Sequence, residues 1–425
     1  MSYPDSVRYL YALGNELKAG ATFDLAPMQT LVAALGNPER GQRFVHIAGT
    51  NGKGSTCAFL SSIFKQAGLR TGLYTSPHLI EPTERIKIDG EPVTAEEFTT
   101  AFYTVHKIAE QLVNDGRLSN HPSYFETVTA MALLIFRERA ELTVMEVGLG
   151  GRLDATNVIT PEISVITPVS YDHEAYLGNA LSSIAGEKAG IIKPGVPVVL
   201  APQHPVAEKI LTERANKLEC PVIQAAMAEV EDIDVRANGS SFLFRGVRYE
   251  CPLPGRHQIE NGVTAILTAM HLGVPSETIS EGIKVTRWPG RLERVASQPD
   301  FILDGAHNPA GAAALAEYIR EVAAGRPVWI VYGAMRDKAI EEVTEQLFPL
   351  ADRLILTMPD FPRALRPDAI LAVTGHPRAV LSGNVDEAIA EARKAPREGL
   401  VFFTGSLYLV GEARAKLLAQ VSSVS

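Results

Sequence analysis

Short apolar runs rich in β-branched residues alternate with longer stretches of helical period along most of the chain. The runs Phe44–Ala48, Thr71–Thr75, Leu142–Val147, Ile163–Val169 and Val196–Leu200 read as one series of strands. Phe301–Leu303, Val328–Tyr332, Arg353–Thr357 and Leu400–Thr404 read as a second. Their hydrophobicity is continuous rather than alternating, which suits strands buried on both faces of a largely parallel sheet. Helical stretches between them, such as Thr56–Ala67 and Glu126–Arg139, complete βαβ units, so the expected class is α/β. The texture changes near Asp232–Leu253, where Ser241–Glu250 predicts a small hairpin turning near Gly246. A helix is expected over Gln258–Leu272, and Ala296–Asp300 has the composition of a hinge between two α/β domains, residues 1–296 and 297–425.

At 425 residues, two domains are the natural expectation, and 46% apolar with 21% charged residues is the balance of a globular protein. A formal net charge of −9 argues against broad nucleic-acid or membrane surfaces, yet leaves room for a small basic pocket. The first ten residues carry Asp5 and lack the apolar core of a signal peptide, and no apolar run is long enough to span a bilayer. Three scattered cysteines make neither a disulfide framework nor a zinc cluster, and a cytoplasmic protein is expected.

The first series carries the chemistry. Phe44–Ala48 runs into Gly49-Thr50-Asn51-Gly52-Lys53-Gly54-Ser55-Thr56, where a helix begins at once. Backbone amides of such a loop curl around phosphate oxygens, and the helix N-terminus adds positive potential. Lys53 is placed to neutralise β- and γ-phosphates; Ser55 or Thr56 could bond a phosphate oxygen or its metal. The run departs from the common G-x-x-x-x-G-K-[ST] loop because Gly54 separates Lys53 from Ser55. Glu146 falls at the end of a buried strand, where ligands of open α/β sheets collect, and a carboxylate there suits Mg²⁺. The glycines of Gly148–Gly151 permit close backbone approach to a bound group. His173 is expected at the matching end of the next strand, in register with Glu146.

The loop Gly49–Thr56 closely resembles the ATP loop of the Mur ligase superfamily, in its folate branch of folylpolyglutamate and dihydrofolate synthases. Other motifs resemble that branch in the same order, over essentially the whole chain. The resemblance implies a P-loop ATPase-type N-terminal domain with helices on both faces of a mostly parallel sheet and a small β subdomain. A Rossmann-like C-terminal domain would follow. It further implies two Mg²⁺ ions, the first held by Ser76 (of Ser76-Pro77-His78) with Glu146, the second by His173. Lys188, in Ala185-Gly-Glu-Lys188, matches a carbamylated lysine. Asn261, one helical turn after His257, matches an adenine contact. Arg291 of Pro289-Gly-Arg291, Asp304 and His307 of Leu303-Asp-Gly-Ala-His307 match ATP contacts. Three segments correspond to dihydropteroate-binding ones: Thr22-Phe23-Asp24-Leu25, Ser123-Tyr124-Phe125 and Leu153-Asp154-Ala155.

The implied reaction phosphorylates a substrate carboxylate with ATP, and the amine of L-glutamate then attacks the acyl phosphate. Dihydropteroate and glutamylated reduced folates are the implied acceptors, with both activities in one enzyme, and the likeness suggests a monomer. A folylpolyglutamate synthase with only the second activity is one alternative. Another is a related ligase acting on cell-wall precursors, although those usually carry a further N-terminal domain before the ATP loop. A nucleotide-driven switch or kinase would not need Glu146, His173 and Lys188 together.

Overall fold

The apolar runs form strands wherever they can be covered on both sides. Every residue of β1 (Phe44–Ala48), β5 (Leu142–Glu146), β6 (Ile163–Ile166) and β7 (Val198–Leu200) is buried. The computed structural model describes residues 2–14, 24–336, 338–376 and 379–422. With β2 (Thr71–Tyr74), β3 (Ile86–Ile88), β4 (Glu91–Pro92) and β8 (Val222–Gln224), these strands make an eight-stranded sheet ordered β4-β3-β2-β5-β1-β6-β7-β8. The pairs β2–β5, β5–β1, β1–β6, β6–β7 and β7–β8 are parallel, and only the pairs β2–β3 and β3–β4, at one edge, are antiparallel.

Two apolar clusters cover this sheet. One joins Phe44, Tyr74 and Met145 to Phe98, Phe102, Met131 and Phe136 of the helices Ala95–Asn114 and Tyr124–Arg139. The other joins Ala48, Ile166 and Leu200 to Ile184 and Leu211. At about 25 cal/mol per Å² of apolar surface removed from water, such clusters supply most of the drive to fold. Both helices of the first cluster begin on capping boxes, Thr94 with Glu97 and Ser123 with Glu126, which satisfy otherwise orphaned amides.

A three-stranded antiparallel sheet follows: β9 (Val230–Arg236), β10 (Gly239–Phe244) and β11 (Val247–Cys251). Its β10–β11 hairpin is the one expected over Ser241–Glu250. The strands β12 (Glu293–Ala296), β13 (Asp300–Leu303), β14 (Val328–Tyr332), β15 (Arg353–Leu356), β16 (Ala379–Leu381) and β17 (Leu400–Thr404) form a six-stranded sheet ordered β12-β13-β17-β14-β15-β16. All its pairs are parallel except β12–β13. The Ala296–Asp300 stretch, read as a hinge, is instead the turn of an antiparallel hairpin, since β12 pairs with β13 across it.

The chain divides into two units: Met1–Val169 with Leu177–Met227 and Asn261–Ile283, and Ser170–Tyr176 with Ala228–Glu260 and Lys284–Ser425. The helix Arg256–His271 thus contributes to both, its first turn to the second unit and the remainder to the first. Among the described residues no helix is long and apolar enough to cross a membrane.

Candidate active site

In the first unit the sheet order sets three strand ends side by side. β5 lies between β2 and β1, so the residues after Tyr74, the end of β5 at Glu146 and the loop after Ala48 are neighbours. Glu146 stands level with Ile47 in the parallel register, just below the loop.

The loop's geometry follows from its glycines. Gly49 has φ +145° and Gly52 φ +84°, and helix Lys53–Gln66 starts directly after Gly52. A side chain at Gly49 would collide with Thr167, and one at Gly52 with the Asn261 carboxamide, so backbone and neighbour occupy the space a Cβ would take. The amides of Thr50 and Asn51 donate to Pro168 O at 2.9 and 3.3 Å, tying the loop to the segment after β6. Lys53 Nζ folds back on the loop and donates to the carbonyls of Gly49 (3.2 Å) and Thr50 (3.1 Å). Lys188, which is buried, donates from Nζ to the same Gly49 carbonyl at 2.8 Å. Two ammonium groups therefore meet on one peptide oxygen. Thr56 Oγ1 is buried in the first helical turn and has no hydrogen-bond partner among the described residues.

Glu146 is buried, and its Oε2 accepts the Ser76 amide at 3.1 Å. Ser76, Glu146, Lys188, Asn261 and the Gly49–Thr56 loop, chosen from separate motifs, thus belong to one constellation within one unit.

Two of the three segments assigned to a pterin converge on the glycine loop that follows Glu146. The ring of Phe125 rests where a Gly148 side chain would be. Asp154 Oδ2 accepts the Leu149 amide at 2.8 Å, while its Oδ1 accepts the amide and hydroxyl of Thr156 at 3.0 and 2.5 Å. Burial pushes the Asp154 carboxyl up to about 6 despite those donors. Thr156 Oγ1 is in turn 2.9 Å from Nε2 of His46, whose pKa burial lowers to about 3, with Lys193 adding to the effect. Tyr124 is buried between the stacked ring of Tyr11, 5.9 Å away, and the Arg85 guanidinium 4.9 Å from its centroid. Ser123 caps the following helix, Leu153 is half-buried and Ala155 belongs to the first apolar cluster. Asp24 accepts the Ala26 amide at 3.0 Å and Leu25 packs at the edge of that cluster; Thr22 and Phe23 lie outside the described residues.

His173, Arg291, Asp304 and His307 belong to the second unit. The expectation for His173 needs correction: β6 stops at Ile166, well short of it, and the next two residues, Thr167 and Pro168, are bonded to Ala48 and to the loop after it. His173 has φ +53° and lies beside Asp172, the hub of a half-buried polar cluster. Asp172 receives Lys338 Nζ at 2.8 Å and Asn308 Nδ2 at 3.0 Å, and lies 3.4 Å from His307 Nε2. Burial alone would raise its pKa. The His307 hydrogen bond and the charges of His307, His173 and Lys338 outweigh that and hold the carboxyl far below the ordinary carboxylate range. Asp304 is buried and accepts the amides of Leu292 (3.1 Å) and Ala306 (3.0 Å). Burial raises its pKa, against the nearby Arg291 charge. Arg291 donates to Gly290 O at 3.0 Å and occupies the space beside Gly305. Asn308 caps the helix Pro309–Ala323 through the Gly311 amide, as the Asn-Pro pair predicts. Lys338 carried no sequence signal except its place shortly after a buried strand, β14.

Residues 47–269 match the Mur ligase middle domain and residues 290–407 the Mur ligase glutamate ligase domain. A dihydrofolate synthase/folylpolyglutamate synthase of Bacillus subtilis is 35% identical over 98% of this chain and 99% of its own. The chain belongs to the Mur ligase family. Its fold is that of the family's solved members. A Mycobacterium tuberculosis folylpolyglutamate synthase, complexed with ADP and AMPPCP, superposes with a TM-score of 0.90 at 32% identity, covering 98% of this chain and 99% of that one. The Escherichia coli FolC, in complex with DHPP and ADP, gives 0.87 at 28% identity, covering 99% of both. The two-domain α/β ligase architecture, with its large mostly parallel sheets, is therefore established for this chain.

Proposed function

We propose that the chain uses ATP to join L-glutamate to the carboxylate of dihydropteroate and of reduced folates, through an acyl phosphate. One observation carries the reading: three adjacent strand ends bring Ser76, Glu146 and a glycine loop bearing Lys53 into one place, with Lys188 bonded to that loop. The pterin segments Ser123–Phe125 and Leu153–Ala155 converge on the glycines immediately after Glu146. That arrangement supports a phosphoryl donor and a carboxylate acceptor meeting at a single strand edge.

In this reading the amides of Gly49–Gly54 and the helix N-terminus hold the triphosphate. Lys53 exchanges its two carbonyl partners for phosphate oxygens, and its charge offsets the negative charge that moves during transfer. Buried Glu146, the Ser76 position and the orphaned Thr56 hydroxyl form a set of hard oxygen donors that fits Mg²⁺. An ion bound there would polarise the transferring phosphoryl group. We assign His173 to a second ion, and Asn261, Arg291, Asp304 and His307 to the nucleotide. A carbamate on Lys188 would keep one N–H for the Gly49 carbonyl while replacing a buried cation by an anion. Phe125, over Gly148, offers its ring to a pterin.

The test is incorporation of labelled glutamate with dihydropteroate or tetrahydrofolate as acceptor. Both acceptors are expected to be labelled, and an oxygen isotope placed in the acceptor carboxylate is expected in the released phosphate. Labelling of tetrahydrofolate alone would remove the first activity, and unlabelled phosphate would exclude the acyl phosphate.

A further inference from the structure

One cluster of chemically able side chains takes no part in that reaction. His106 and Glu110 lie one turn apart on the helix Ala95–Asn114, and His121 follows in the connection to the next helix. One nitrogen or oxygen from each lies within 4.8 Å of the others. We propose that His106, Glu110 and His121 form a binding site for a divalent transition-metal ion, Zn²⁺ in preference to Mg²⁺.

Distances between the donors carry the argument. His106 Nδ1 and His121 Nε2 are 3.3 Å apart. Two imidazole nitrogens, each ~2.0–2.1 Å from a tetrahedral zinc, stand about 3.3–3.4 Å from one another. The pair already has that spacing, and it is long for a hydrogen bond between two rings. Glu110 Oε1 lies 3.9 Å from the same His121 nitrogen, a gap that a small turn of an exposed side chain closes. Positions four apart on a helix share a face, which is why His106 and Glu110 point at one point in space.

The surroundings fit a ligand set as well. His121 Nδ1 is 3.0 Å from Pro122 O, a partner that can only accept, so the proton sits on Nδ1 and the Nε2 lone pair faces His106 and Glu110. His106 is held on one side by the parallel ring of Phe102 at 5.5 Å and on the other by the edge of Tyr9 at 4.6 Å. Tyr9 also touches His121 and directs its hydroxyl to Glu110 Oε1 at 3.5 Å. One tyrosine therefore contacts all three donors, the role of an outer-shell partner. Imidazole nitrogens with a single carboxylate favour zinc and its neighbours over Mg²⁺, which prefers oxygen. Three protein donors leave a fourth position for water. Such an ion would fasten the segment just before the Ser123 cap to the preceding helix.

Titration of the metal-stripped full chain with Co²⁺ alone, followed by visible absorption, tests the proposal, with Zn²⁺ displacement as the second reading. One equivalent is expected to bind with the intense bands of four-coordinate cobalt, and Zn²⁺ to abolish them. His121→Gln and His106→Gln should each weaken binding at least about tenfold, and Glu110→Gln, an exposed change that keeps the fold, should weaken it less. Absence of a saturable band, or equal affinity in the wild type and all three variants, overturns the site and leaves a hydrogen-bonded histidine pair. Mg²⁺ competing as well as Zn²⁺ overturns the selectivity.

Discussion

Each unit draws charged side chains together away from full solvent exposure, and the two clusters match their charges differently. In the second unit Asp172 is enclosed by Lys338, His307, His173 and the Asn308 amide, so its charge is matched by fixed side chains. In the first unit Lys53 donates to two backbone carbonyls, and Lys188 joins it on the Gly49 oxygen. A cation on neutral carbonyls is held in place without being neutralised, and it gains far more from an arriving anion than one already paired. We read the lysine pair as set for a phosphate, and Asp172 as the residue that holds His173 and His307 in place for their proposed roles.

That contrast yields graded tests. Lys53→Ala should lower ATP-dependent turnover the most, by about 10²–10³-fold or more, with an unchanged circular dichroism spectrum. Asp172→Asn should also lower stability, by about 1–3 kcal/mol in denaturant unfolding, because the partly buried Lys338 and histidines lose their carboxylate. The pH dependence has a definite sign. Asp172's folded pKa lies below its unfolded value, so its contribution is present above about pH 4 and is lost as pH falls towards the folded value. The variant should lack that acid-side loss. Gly52→Ala should cost about 1–3 kcal/mol through its positive φ and the collision with Asn261; adding Asn261→Ala should recover part, removing the collision but not the backbone strain. Asp154 gives the opposite slope. Its pKa is raised to about 6, so its contribution is full below the unfolded value and is lost as pH rises through about 6. Relative to Asp154→Asn, the wild type should lose about 3 kcal/mol over that window.

Much of this was legible in the sequence because several rules agree at the same residues. A buried strand, a glycine-flanked lysine and an immediate helix leave few readings of Gly49–Thr56, and Glu146 follows from lying at the end of a fully buried strand. Other features were hidden for physical reasons. β9 is largely solvent-facing and carries charged residues such as Glu231 and Asp234, so no apolar run marks it. β12 is held by pairing with β13 rather than by burial, which let its turn look like a linker. His173 was misplaced because β6 ends early, where Thr167 and Pro168 use their polar groups to fix the loop. Lys338 meets Asp172 across a long stretch of sequence, a pairing that only the tertiary fold reveals.

In the proposed reaction the loop bearing Lys53 holds ATP while its γ-phosphoryl group passes to a carboxylate destined for glutamate. Phosphate release from ATP, measured with the pterin carboxylate and glutamate supplied singly and together, tests it most directly. Sustained release only with both present is the outcome this account predicts. Equal release with neither would contradict it and leave a nucleotide hydrolase on a ligase fold.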